Sequence, residues 1–315
     1  MGPSYTSFGS SGTLTRSEPE VVSTPAGARD KVLAYLALTK PRIIELLLIT
    51  TVPAMILAER GWPSPLLVLA TLIGGSLSAG GANAINCYVD RDIDEIMQRT
   101  RKRPLPRHVI APRQAVFFGT ALGVLGFAEL WWTVNLPAAV LSTAGLLFYV
   151  FVYTIGLKRW TPQNIVIGGA AGAVPALVGW AAVTGRVGMP ALVMFGLVFY
   201  WTPPHFWALA MRYEEEYAAA GVPMMPVVYG RAETAKHILL YTLLLLAMSL
   251  LLFSVGHLGL IYLASALVLN AAFIGQAAVL WRRPTTENAW KLFKLSLYFL
   301  SLLSAAMVAD VVIGA

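Results

Sequence analysis

Charge is what this chain has least of. Only 12% of its 315 residues are Asp, Glu, Lys or Arg, against about a quarter in an ordinary soluble domain. Acid is scarcer than base, with 16 acidic residues against 23 basic ones. Cysteine is nearly absent. Cys87 stands alone, so no intramolecular disulfide can form and the redox compartment goes unmarked. The N-terminus lacks the charged-then-apolar pattern of a signal peptide. Residues 1–30 are rich in Ser, Thr, Gly and Pro, have no apolar run, and read as a disordered cytoplasmic tail. A mitochondrial transit peptide would be Arg-rich and poor in acid. Here Arg16 and Arg29 are set against Glu18, Glu20 and Asp30, so a bacterial plasma membrane fits better. These shortages exclude a soluble enzyme and a disulfide-stapled secreted domain.

Apolar sequence is what there is in abundance, at 57% of the chain. Residues 31–315 read as one intramembrane domain of an all-α, polytopic protein. Runs near the roughly 20 residues that cross a bilayer as helix predict nine spans, at 43–59, 65–88, 115–133, 137–156, 165–184, 189–211, 237–256, 258–281 and 292–313. Pro203-Pro204 is expected to interrupt the sixth. The fifth is rich in small residues and should pack closely on its neighbours. The nine-span division leaves 21 basic residues on one face and only Arg60 and Arg186 on the other. The positive-inside rule then places the N-terminus in the cytoplasm and the C-terminus outside. A net charge of +7 would suggest nucleic acid in a soluble protein. In this chain the bases flank apolar segments and set topology, so no nucleic-acid partner is expected.

Three polar constellations fall on the cytoplasmic side. The first is NCYVDRDID, residues 86–94. Asn86, Asp90 and Asp94 recur every four residues and stack on one helix face. A row of oxygen donors suits Mg2+, which can bridge carboxylates to a diphosphate. Asp92 points to another side. The alternative is a solvated helix end whose acids pair with Arg91 and Arg99. The second is YTIGLKRWTPQN, residues 153–164, where Lys158 and Arg159 either hold phosphate oxygens or serve as topology determinants. The third runs from Trp201 to Gly230. It sets His205, Arg212, Tyr213 and Glu216 beside Trp201, Phe206 and Trp207. These rings suit an allylic cation or a flat macrocycle, with His205 as an axial ligand to haem iron. They also suit an interfacial aromatic belt with a satisfied buried histidine. Glu45, Glu129 and Asp310 fall in apolar segments, with Glu45 near the cavity and Asp310 snorkelling at the outer end.

With these motifs, the chain resembles the protohaem IX farnesyltransferases, or haem O synthases, of the UbiA-type intramembrane prenyltransferase superfamily. The resemblance runs from LTKPRI at 38–43 to about residue 313. It rests on N-x3-DRDID with RTRKRPLP, YTIGLKR with Asn164, and TPPHFWALA with AGVPMMPVV. It implies a nine-helix bundle around a cavity open to the cytoplasm and to lipid. It also implies farnesyl diphosphate as donor, protohaem IX as acceptor and Mg2+ as cofactor, with haem as substrate. Asn86, Asp90 and Asp94 carry over as the metal-diphosphate face, and Lys158 and Arg159 as phosphate contacts. Arg212 takes part of the charge of a second Asp-rich motif that is replaced here by RYEEEY. Arg91, Tyr153, Asn164, His205, Trp207, Tyr213 and Glu216 complete the expected substrate-binding set. A haem A synthase and terminal oxidase assembly are the implied downstream partners. The rival readings are a UbiA-type enzyme acting on a quinone precursor or chlorophyllide, a membrane transporter, and a haem-binding assembly factor without catalysis.

Overall fold

The computed structural model describes residues 27–314, without the side chains of 43 and 45–48. Most of the expected tail therefore lies outside the described residues, as does the side chain of Glu45. Residues 28–30, the last of that stretch, already belong to a helix, α1 (Ala28–Leu38). Its Ala34 and Leu38 are buried in a cluster with Ala84, Cys87 and Leu105, while Val32, Leu33 and Leu36 are exposed.

Among the described residues nine long helices follow: α2 (Pro41–Glu59), α3 (Pro65–Val89), α5 (Pro112–Thr133), α6 (Leu136–Leu147), α7 (Asn164–Thr184), α8 (Met189–Arg212), α10 (Met225–Val255), α11 (Leu260–Arg282) and α12 (Thr286–Ile313). Two short helices, α4 (Arg91–Ile96) and α9 (Glu214–Ala219), follow α3 and α8. No strand occurs among the described residues. Seven of the long helices, counting α6 with its continuation, are apolar enough to cross a membrane by length and composition. The expected all-α, polytopic class is thus met, and the expected nine spans are met by seven among the described residues. The other two are α2, several of whose side chains lie outside the described residues, and α8, whose interior carries Thr202, Pro203, Pro204 and His205. The chain is a multi-pass membrane protein.

Neighbours in sequence pack as neighbours in space, and α12 returns to contact both α8 and α2, which closes the bundle. Small residues set the closest approaches. A Cβ on Gly179 of α7 would sit 2.4 Å from the carbonyl oxygen of Thr51, and one on Gly81 of α3 would sit 2.5 Å from that of Gly119 in α5. The expected close packing of α7 is present.

Three local features depart from expectation. Helix α8 runs unbroken through Pro203-Pro204. Each proline removes one backbone donor, but dense packing against α7, α10 and α12 holds the helix. Second, α6 continues as a π-helix, Phe148–Leu157. Third, Asp310 does not snorkel. It is buried, and its carboxylate accepts from the backbone N–H groups of Gly259 and Tyr262, which caps the start of α11.

Candidate active site

Helix α3 bends into α4 at Asp90. Backbone bonds from Asp90 N–H to Asn86 O (2.9 Å) and from Asp94 N–H to Asp90 O (2.8 Å) carry the helical register across the bend. Asn86, Asp90 and Asp94 therefore share one face, and all three are buried. Buried carboxylates need compensation, and each here has its own cation. Lys158 Nζ donates to Asp90 Oδ2 at 2.5 Å. Arg103 Nη1 donates to Asp94 Oδ1 and Oδ2 at 2.8 and 2.7 Å. Arg91 and Arg99, the partners of the alternative reading, are elsewhere. Arg91 donates to Tyr88 O and lies over the Tyr88 ring.

Asp92 does face away, with its side chain 61% exposed. Arg159 clasps it through two 2.7 Å bonds and also donates to Val89 O. The hydrogen bonds from Arg159 hold the Asp92 carboxyl down at about 2. Arg159 is thus engaged by protein, whereas Lys158 uses one of its three donors on Asp90.

The π-helix sets the other side of this face. Lys158 N–H bonds to Tyr153 O, five residues back, and Thr154 Oγ1 donates to Tyr149 O at 2.8 Å. With its proton committed, the Thr154 hydroxyl accepts from Asn86 Nδ2 at 3.0 Å. The second Nδ2 proton goes to Asp90 Oδ2 at 2.8 Å. The Asn86 amide is thereby oriented, with Oδ1 accepting from Lys40 Nζ at 2.6 Å. Lys40 adopts φ +53°, a left-handed conformation that costs a non-glycine residue about 1–2 kcal/mol.

One oxygen of this array is open: Asp90 Oδ1 is buried and has no partner. Among the described residues no group of three or more His, Cys, Asp or Glu could hold a metal alone. The donor set still fits Mg2+, which characteristically takes one or two carboxylates and completes its shell from substrate phosphates and water.

An apolar cavity lies against this array. Asn83, one turn before Asn86, lines it, as do Tyr149, Tyr153, Gly168, Trp201 and Phe206. Tyr153 stacks on Tyr149 at 5.4 Å. Its ring occupies the space that a Cβ on Gly168 would need, at 2.2 Å from Tyr153 Cδ2. Asn164 is buried and ties down the loop after Lys158 by donating to Thr161 O at 2.7 Å.

The aromatic constellation divides. Trp201 and Phe206 line the cavity. His205 and Trp207 do not line it. Trp207 is buried against Tyr241 and His237. His205 Nδ1 lies 2.7 Å from Ser296 Oγ. Ser296 gives its single proton to Phe293 O, so Nδ1 is the donor and Nε2 carries the lone pair. Arg212 stacks over Trp290 at 4.4 Å and lies 5.9 Å from the Tyr213 ring. Glu216 Oε2 accepts from the Arg99 backbone N–H at 3.3 Å. Arg212, Tyr213 and Glu216 thus form a group with Arg99, while Lys158 joins the acidic face and Asn164 braces the loop after it.

Lys40, Arg103 and Thr154 belong to the array, and the sequence motifs that contain them were not read that way. Arg103 stands in the basic run RTRKRPLP and Lys40 in LTKPRI, but neither is singled out in sequence as a partner of the acidic face. Thr154 stood out only as the residue after Tyr153.

The UbiA prenyltransferase family pattern matches residues 47–303. A protein of Parafrankia sp. (strain EAN1pec) named protoheme IX farnesyltransferase is 52% identical over 305 residues, covering 95% of this chain and 97% of that one. A solved digeranylgeranylglyceryl phosphate synthase shares the fold with a TM-score of 0.75 at 22% identity, covering 90% of this chain and 99% of its own. A UbiA homologue from Archaeoglobus fulgidus, solved bound to GPP and Mg2+, gives a TM-score of 0.63 at 17% identity, with 88% and 99% covered. The chain belongs to the UbiA prenyltransferase family, among its protohaem IX farnesyltransferases.

Proposed function

We propose that this protein transfers the farnesyl group of farnesyl diphosphate to a vinyl group of protohaem IX, with addition of water, giving haem O. One observation carries the chemistry. A buried Asp90 carboxylate, with one oxygen unpartnered and Lys158 bonded to the other, stands two helical turns beyond Asn83, which lines an apolar cavity. The choice of acceptor is supported by 52% identity, over nearly the whole chain, to a relative named for it.

In this reading the diphosphate lies beside the Asn86–Asp90–Asp94 face, within reach of Lys158, Arg103 and Lys40, which are bonded to that face. Asn86, Asp90 and Asp94 would hold Mg2+, which when bound supplies positive charge to the departing diphosphate. Support comes from the unpartnered Asp90 Oδ1 and from the Mg2+ named with GPP in the Archaeoglobus fulgidus homologue. Lys158 keeps one donor on Asp90 and turns the others to phosphate oxygens, which strengthens the hold as negative charge grows there. The farnesyl chain lies in the cavity, whose apolar walls keep water from the allylic cation. The faces of Tyr149 and Tyr153 stabilise that cation through their ring quadrupoles. The haem vinyl carbon then attacks, and water captures the resulting cation. The protein sits in the plasma membrane with its N-terminus in the cytoplasm, as the 21-to-2 split of basic residues supports. Its product would serve terminal oxidase assembly.

The acceptor is tested by competition. Purified protein with farnesyl diphosphate and Mg2+ is offered haem, a quinone precursor and chlorophyllide together. Farnesyl is expected on haem alone. Farnesyl on either of the others would replace this reading with its nearest rival, and ion flux in proteoliposomes without any transfer would point to a transporter.

A further inference from the structure

We propose that Arg99 and Arg212 form a separate dicarboxylate site that holds the two propionates of the acceptor and so aims its vinyl edge into the cavity. This rests on protohaem IX being the acceptor.

The site is built from two arginines at the cytoplasmic rim that no carboxylate neutralises. Most cations of the array have an acid: Lys158 has Asp90, Arg103 has Asp94 and Arg159 has Asp92. Among the described residues neither Arg99 nor Arg212 is in an ion pair. Both flank one ring. The Arg99 and Arg212 guanidinium carbons lie 5.5 and 5.9 Å from the Tyr213 centroid, so their separation cannot exceed the sum of those distances. Arg99 comes from the loop after α4 and Arg212 from the end of α8, so folding brings them together. The nearest acid in their group, Glu216, accepts from the backbone of Arg99 and leaves its guanidinium free. That guanidinium makes one long contact, 3.5 Å to Tyr217 Oη. Arg212 spends its face on Trp290 at 4.4 Å. Its in-plane N–H donors remain open, and their fork matches a carboxylate.

A stack of rings packed within the helices connects this pair to the cavity. Trp290, under Arg212, stacks on Phe293 at 5.0 Å. Phe293 meets His205 at 4.7 Å, and His205 stacks on Trp201 at 4.4 Å. Trp201 lines the cavity. At 1.5 Å of helix per residue, Arg212 stands about 9 Å along α8 from Phe206 and about 16 Å from Trp201. That is the reach of a porphyrin with its propionate arms. Protohaem IX is itself two-sided, with both propionates on one edge and both vinyl groups on the other half of the ring. Charged edge on the arginines at the aqueous rim, reactive edge in the apolar cavity: one orientation satisfies both. The same residues then select for the acceptor and not for the donor.

The test pairs Arg212→Gln and Arg99→Gln with haem whose propionates are capped as methyl esters. Each variant is expected to raise KM for haem about tenfold, the loss of one charge-assisted contact, and to leave KM for farnesyl diphosphate within about twofold. Wild-type protein should show a comparable or larger loss on the diester, and the variants should lose little more on it than wild type does. A rise in KM for farnesyl diphosphate would return the arginines to the diphosphate site and overturn the proposal. Equal use of haem and its diester by wild type would overturn it too, even if neither variant folds. Failure of wild type to convert haem at all would instead sink the acceptor assignment.

Discussion

Replacing Asp90 by Asn removes one negative charge while keeping size and one oxygen. Asp90 is fully buried, and its Oδ2 accepts from both Lys158 and Asn86. In Asp90→Asn the oxygen that held a cation becomes a neutral amide, and Lys158 loses its counter-charge. If Asp90 acts on the leaving diphosphate, one transition-state electrostatic contact disappears, which costs about 3 kcal/mol, or a hundredfold or more in rate. Breaking a buried ion pair also destabilises, by about 3–5 kcal/mol for fully desolvated partners. The Lys158 side chain is 14% exposed, so it can turn toward water and the structural loss should be smaller. The two effects separate when turnover is measured per folded molecule, at rising Mg2+, with detergent-solubilised protein counted by size exclusion. The expected outcome is a near-normal yield of folded protein with at least hundredfold lower turnover, partly recovered by more Mg2+. Asp92→Asn is the control. Its exposed pair with Arg159 is worth about 0–1 kcal/mol, and its turnover should fall little. Equal losses in both variants, or normal turnover per folded Asp90→Asn molecule, would refute the reasoning.

Three other outcomes are expected. Asp310→Ala should lower thermal stability by about 1–2 kcal/mol through loss of the α11 cap and leave KM for both substrates unchanged; an altered KM would place Asp310 in the site. The Asp92 carboxyl is depressed to about 2 from 3.8, so its stabilisation is present above pH about 4 and lost as pH falls through about 2. Melting of wild type and Asp92→Asn should therefore differ slightly at pH about 5 and converge near pH 2; a gap that widens with acid would contradict the pairing. Cysteines introduced at the exposed positions Arg101, Trp160 and Ala218 should label only from the cytoplasmic side of oriented vesicles, and labelling from outside would overturn the orientation.

The spans were legible because apolar length is a local signal. The Asn86–Asp90–Asp94 face was legible because a period of four survives a small bend. What stayed hidden depended on partners distant in sequence. Nothing near Asp310 announces that Gly259 and Tyr262 need its carboxylate. Pro203-Pro204 read as a break because the packing of α7, α10 and α12 that holds α8 together is tertiary. His205 sits in sequence between rings that suggest a macrocycle. Yet the helical period turns Phe206 to the cavity and His205 to Ser296 of α12. The π-helix carries no sequence mark distinguishing it from α-helix, although Thr154 depends on its five-residue register to orient Asn86. Ionisable residues could be counted from sequence. Their pairing could not: Arg103 reaches Asp94 across a loop, and Arg159 goes to Asp92 instead of standing free.

The most direct measurement is the mass of haem after purified protein is incubated with protohaem IX, farnesyl diphosphate and Mg2+ in 18O-labelled water, with a parallel sample in chelator. The account expects haem to gain one farnesyl group and one hydroxyl carrying the heavy oxygen, and to stay unchanged in the chelated sample. Haem of unaltered mass in both samples, or full conversion despite the chelator, would contradict it.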